Sequence, residues 1–124
     1  MLGDRQLTEN FRLAEFACKH CGKVEIDLGF VNRLQEARDV SGMALVIRSG
    51  YRCPEYDEAI GGSGKHPTGK AADIKAKGSR SRYLIVKALL HVGFTRLGIG
   101  RDFVHVDECP DADLRVMWDY YDEG

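Results

Sequence analysis

Between Asp27 and Val40 the chain reads DLGFVNRLQEARDV, and Leu28, Val31, Leu34 and Ala37 recur at three-residue steps among polar neighbours. That spacing predicts an amphipathic helix, with Asp27 as its N-cap and Ser41-Gly42 as its stop. Ahead of it, LTENFRLAEFACK offers Thr8 and Asn10 as caps and Phe11, Leu13, Ala14 and Phe16 as a short helical stripe. ALVIRSG then reads as a strand rich in branched residues, and YRCPEYDEAIGG as a turn into a short helix that Pro54 starts and the glycine pair ends. AADIKA is a second strand. SRSRYLIVKALLHVG carries a dense apolar face, a Ser79 or Ser81 cap and Gly93 just past its end, and so predicts a second long helix. TRLGIG and FVHVD form two short strands around Gly100-Arg101-Asp102, and LRVMWDYY a last one.

The order of elements predicts an α+β fold with a small, mainly antiparallel sheet and helices packed on it, because the late strands are joined too closely for parallel crossovers. A length of 124 residues with no repeat or linker tract implies one domain over 1–124, with its core within about residues 8–120. The 18 basic and 19 acidic residues are interspersed, which argues against a nucleic-acid or anionic-membrane partner. Asp4, Arg5, Glu9, Arg12 and Glu15 deny the N-terminus the apolar core of a secretory signal, and no apolar run reaches the roughly 20 residues of a membrane span. A soluble monomer synthesised in the cytoplasm is expected.

His66, Asp73 and His105 are residues of zinc-ligand type placed where loops meet strands. A catalytic zinc takes three such ligands and leaves a fourth position to water. In HPTGKAAD, Gly69 permits a turn at positive φ that folds His66 back towards Asp73, and Ala71 and Ala72 leave space beside the ion. Alternation in FVHVD puts Phe103, His105 and Asp107 on one strand face. Each position also has an ordinary reading: a solvated loop histidine, a strand-entry aspartate and a satisfied core histidine.

Taken in order, Ser49-Gly50-Tyr51-Arg52, His66-Pro67-Thr68-Gly69-Lys70-Ala71-Ala72-Asp73 and Asp102-Phe103-Val104-His105 resemble the motifs of the zinc D,D-peptidases of the hedgehog/DD-peptidase fold, a family of bacterial and phage cell-wall enzymes. The resemblance runs over roughly residues 8 to 120. It implies a Zn²⁺ ion on His66, Asp73 and His105, substrate binding or polarisation by Arg52, and Asp102 as general base. Gly64 stands where the family often has serine, and Asp102 where it commonly has glutamate. The implied activity is hydrolysis of amide bonds in peptidoglycan stem peptides, as a carboxypeptidase or an endopeptidase. The lack of a leader suits a phage lysis enzyme or virion component, or a chain trimmed of its leader. Asp107 is either the carboxylate that orients a ligand imidazole through its other nitrogen or the rival base. Arg52 also has a plainer reading, a surface ion pair with Glu55 or Asp57. The rival class is a zinc-holding module that binds wall or protein ligands without turnover.

Four cysteines remain: Cys18, Cys21, Cys53 and Cys109. They either converge on a second, structural zinc or remain free buried thiols or a single disulfide, and the last group of readings is preferred. His20, inside the CxxC, has no ligand partners at the main site, and His91 suits the C-terminal end of its helix.

Overall fold

A computed structural model describes residues 5–121, so the outermost residues of the single domain expected over 1–124 lie outside the described residues. The expected first helix is a single 3₁₀ turn, Leu13–Phe16. It is followed by α1 (Leu28–Ser41), β1 (Ile47–Ser49), α2 (Pro54–Ala59), a second 3₁₀ turn at His66–Thr68, β2 (Ala71–Lys75), α3 (Gly78–His91), β3 (Arg96–Ile99), β4 (Phe103–Asp107) and β5 (Val116–Asp119).

The helix ends follow local chemistry. The Asp27 carboxylate accepts the Phe30 N–H at 2.8 Å, satisfying one free donor of α1, and Gly42 ends that helix at φ +68°. Pro54 occupies the first turn of α2. Gly93 follows the last residues of α3 at φ +100°. The start of α3 differs from expectation: Lys77 is the N-cap with no side-chain bond, and Ser79 and Ser81 lie inside the helix.

The sheet has the order β1-β2-β4-β3-β5. β1, β2, β4 and β3 pair antiparallel, whereas β5 lies parallel to β3. No crossover helix is needed, because β5 pairs with β3 and not with β4, the strand that precedes it in the chain. The connection from β4 passes the start of β3 and brings the chain back along β3's open edge.

One sheet face packs on the helices. Ala72, Ile74, Val104, Val106 and Leu97 join Phe30, Val31, Leu34 and Ala37 of α1 and Ile85, Ala88 and Leu89 of α3 in one core. Strand alternation then turns Asp73, His105 and Asp107 to the opposite face. No helix among the described residues is long and apolar enough to cross a membrane.

Candidate metal centre

Register builds most of the site. Asp73 and His105 are directly opposed across β2 and β4, so their side chains rise from the same spot on the sheet. His66 comes from the loop before β2. Its return depends on Gly69, which sits at φ +75° and whose added Cβ would lie 2.6 Å from the Glu25 carbonyl oxygen. The Gly69 carbonyl accepts the Asp27 N–H at 2.9 Å, which docks this loop on the start of α1. Ala71 shares Asp73's face and is paired with Asp107, but Ala72 packs into the core, so only one of the two alanines lies on the site's side.

His66, Asp73 and His105 are all buried, and their ligand atoms lie within 4.8 Å of one another. His66 Nδ1 is 2.7 Å from the Gly50 carbonyl, an acceptor only, so Nδ1 carries the proton of the neutral ring and Nε2 presents a lone pair. That lone pair faces Asp73 Oδ1 at 3.5 Å. Two acceptors so placed repel unless a proton or a cation lies between them. His105 repeats the logic. Asp107 Oδ2, 2.7 Å from Nε2, fixes a proton there, and Nδ1 faces the same Asp73 Oδ1 at 2.9 Å. Two imidazole nitrogens and one carboxylate oxygen therefore converge on one point, in a donor set suited to zinc.

Proton affinities carry the same signature. Burial opposes the charged form of His105, but hydrogen bonds to Asp107 and Asp73, with their charges, raise its pKa. Burial would likewise raise Asp73, yet its bonds to His105 and His66 hold it well below the usual carboxylate range. For Asp107, burial is outweighed by His105, Arg96 and the Cys109 N–H, leaving a pKa of about 2. In the metal-free protein these bonds favour the charged form of His105 between two carboxylates, and an Nδ1 proton then stands where an ion would bind.

The residues around this triad are themselves held. Arg96 Nε donates to Asp107 Oδ1 at 2.6 Å, and its guanidinium lies over the Trp118 ring. Both Asp107 oxygens are thus engaged and the side chain is fully buried, which suits orientation of His105. Arg52 spans Ser49 Oγ at 3.2 Å, Asp57 Oδ1 at 3.0 Å and Asp73 Oδ2 at 3.2 Å. The Asp57 pair of the plainer reading does form, but it is buried and continues to Asp73, so Arg52 is no loose surface cation. Asp57 also accepts the Gly64 N–H at 2.9 Å, and a Cβ on Gly62 would meet its Oδ1 at 2.1 Å. The loop of residues 60–64 is wrapped around this one carboxylate, so Gly64 contributes backbone where the family often has serine.

An open cavity of about 260 Å³ lies above the triad, lined by Arg52, the 60–63 loop, His66, Asp73, Phe103, His105 and Tyr120. Among these described residues Asp73 is the one acid. Asp102 is elsewhere: in the β3–β4 turn, with its side chain 71% exposed and paired to Arg48 at 2.7 Å. Its partner Arg48 lies over the ring of Phe103, the first residue of β4.

The cysteines do not form a group of four. Cys18, Cys21 and Cys53 cluster, whereas Cys109 lies by Thr68 Oγ1 at 3.5 Å and the Lys65 carbonyl at 3.7 Å. All four are free of disulfides. His91 ends α3 as expected. Sequence reasoning did not single out Arg96, Tyr120 or the Asp57 clamp on the 60–64 loop. The paired glycines after an aspartate-bearing helix were the local sign of that clamp.

The chain matches the family model described as Peptidase M15 over residues 9–107. A search of curated proteins found no match.

Proposed function

The chain belongs to the Peptidase M15 family of zinc-dependent peptidases, and on that premise we propose that it hydrolyses amide bonds in peptidoglycan stem peptides, as a carboxypeptidase or an endopeptidase. The observation that carries the reading is the convergence of His66 Nε2, His105 Nδ1 and Asp73 Oδ1 on the floor of an open cavity with a guanidinium in its wall. Zinc held by these three residues supplies a bound water of pKa about 7 and a Lewis acid for the scissile carbonyl.

The protein's own groups do the rest. Arg52 is pinned by Ser49 and Asp57, so its fork meets a substrate carboxylate or the carbonyl oxygen that becomes negative without first losing much side-chain freedom. Ile60, Phe103 and Tyr120 furnish apolar wall against which a stem-peptide side chain packs. Asp107 keeps the Nε2 proton of His105 in place, so that Nδ1 remains the donor to the ion. Asp102 takes the proton of the attacking water and passes it to the leaving amine, exchanging Arg48 for the cavity to do so.

The rival reading, a zinc-holding module without turnover, draws on one observation: no acid besides Asp73 lines the cavity among the described residues. Digestion of purified muropeptides by the zinc-loaded protein, followed by mass analysis, separates the two. New termini that vanish with His66→Ala establish the peptidase and name its bond. Intact muropeptides with both proteins overturn the proposal.

A further inference from the structure

A second group of metal-binding side chains lies beside Arg52, outside the histidine-aspartate centre. The sulfurs of Cys18, Cys21 and Cys53 all lie within 4.8 Å of one another. We propose that these three thiolates and Nδ1 of His20 bind a structural zinc ion, separate from the ion on His66, Asp73 and His105.

Three sulfurs already stand close together and His20 Nδ1 meets one of them, so a small turn of the His20 side chain completes a tetrahedron. With Zn–S near 2.3 Å and Zn–N near 2.0 Å, neighbouring donors in a tetrahedron stand roughly 3.5 to 3.8 Å apart. His20 Nδ1 is 3.7 Å from the Cys53 sulfur, within that range. Separately, the backbone N–H of Cys53 donates to the Cys18 sulfur at 3.4 Å, which favours its thiolate form. His20 is also oriented, since its ring lies flat against Tyr56 with centroids 5.4 Å apart and planes 2° from parallel.

The backbone around Cys18 and Cys21 is shaped for a thiolate. The Cys18 N–H donates to the Lys23 carbonyl at 2.7 Å and the Gly22 N–H to the Cys18 carbonyl at 2.8 Å, closing a turn that Gly22 completes at φ +77°. The backbone amides of Cys53, Cys21 and His20 bear on the Cys18 sulfur. A disulfide between any two of the three cysteines would leave the third thiol and this imidazole without a role; one ion uses all four. Cys109, on the far loop by Lys65, takes no part.

Four protein ligands leave no position for water, so this ion holds structure and does no chemistry. What it holds is specific. It ties the 18–23 loop to residues 50–56, the segment whose Gly50 carbonyl orients His66 and whose Arg52 lines the cavity.

Metal analysis of the full chain, loaded with zinc and washed with a weak chelator, tests the site without reference to activity. Two zinc ions per chain are expected, with one retained in His66→Ala and one retained in Cys53→Ser. Cobalt-loaded His66→Ala should show the intense near-ultraviolet absorption of sulfur-to-cobalt charge transfer. One zinc per chain that disappears with His66→Ala overturns the proposal, as does cobalt loading without that absorption. Should Cys53→Ser aggregate, the cobalt spectrum of His66→Ala decides alone. His20→Ala should lose metal to the chelator at least about tenfold more readily, and parental retention would strike His20 from the ligand set. Failure of the muropeptide digest leaves all of these readouts unaffected.

Discussion

Asp107→Asn isolates the control of a ligand's proton. The substitution preserves shape, and the amide oxygen can still accept from Arg96 Nε, now 2.6 Å from Oδ1. The other position changes from acceptor to donor. Asp107 Oδ2 accepts the Nε2 proton of His105 at 2.7 Å and so leaves Nδ1 free to ligate. An amide NH₂ there bonds best to an unprotonated Nε2, which moves the ring proton to Nδ1, the atom that faces Asp73 and the ion. Zinc binding must then reverse the tautomer against a lost charge-assisted hydrogen bond, which costs about 1.5 to 3 kcal/mol. The equivalent loss of zinc affinity is on the order of tenfold to a hundredfold, the range that outer partners of ligand histidines usually command. Competition against a chromophoric chelator measures it directly, and thermal melts of the zinc-free proteins show whether the variant remains folded. Parental zinc affinity combined with a collapse in turnover would refute the reasoning, since Asp107 would then be acting on the water's proton and not on the imidazole.

Three further outcomes are expected. Asp102→Ala should lower turnover by about a hundredfold or more as a lost base does, while zinc affinity is unchanged and stability moves by no more than about 1 kcal/mol, because its pair with Arg48 is exposed; parental turnover in a peptide-release assay removes it from the mechanism. Gly62→Ala should destabilise the fold by roughly 1 to 3 kcal/mol in a denaturant titration and raise KM, because its Cβ would sit 2.1 Å from the carboxylate that holds Arg52; an unchanged KM would refute the link from Gly62 through Asp57 to Arg52. The zinc-free protein should melt highest between about pH 4 and 6.5. The raised pKa of His105 makes its contribution full below the unfolded value and lost as pH rises through the folded one, whereas the lowered Asp73 and Asp107 contribute above the unfolded carboxylate value and lose this as pH falls through their own, about 2 for Asp107. Zinc should reverse the alkaline trend, since it replaces the His105 proton, and a melting temperature of the zinc-free protein that rises from pH 6 to 8 would contradict the bridged imidazolium.

The parts legible in the sequence are those decided within a few residues. The Asp27 cap, the Pro54 start and the Gly93 stop are local, and each formed as its neighbours dictate; the apolar step of α1 held at Val31, Leu34 and Ala37, whereas Leu28 in the first turn is exposed and Phe30 is buried instead. His66, Asp73 and His105 were legible because a glycine turn and a strand alternation are also local patterns, and the motif order linked them. Asp102 shows the limit of motif order: the motif places the residue, but its pairing with Arg48 is made across the sheet and has no local sign. Arg96 with Asp107, and Asp57 with the 60–64 loop, depend on which strands and loops become neighbours. The first has no period or spacing to betray it, and the second only the paired glycines that follow α2. The cysteines make the same point. CxxC is a local pattern, but its partners are chosen by packing, which selected Cys53 and His20 and left Cys109 on the other side.

Residues 49 to 53 explain why the site's supports and its ligands belong to one cooperative unit. Ser49 bonds Arg52 Nε, the Gly50 carbonyl takes the His66 proton, and the Tyr51 N–H reaches the Phe16 carbonyl at 2.8 Å. Arg52 grips Asp73, and the Cys53 N–H meets the Cys18 sulfur. Beyond the end of β1 at Ser49 the chain turns so that Ser49, the Gly50 carbonyl and Arg52 meet the metal centre while Cys53 meets the cysteine cluster. A shift of this segment therefore moves the orienting group of one ligand and the cation of the cavity together, while breaking contact with the 18–23 loop. Tyr51 and Cys53 pack with Cys18 and Tyr56 beneath it, and this anchoring lets the stretch hold the geometry of the site: buried pairs of charges stabilise little by themselves, but they fix direction when the backbone beneath them cannot slide.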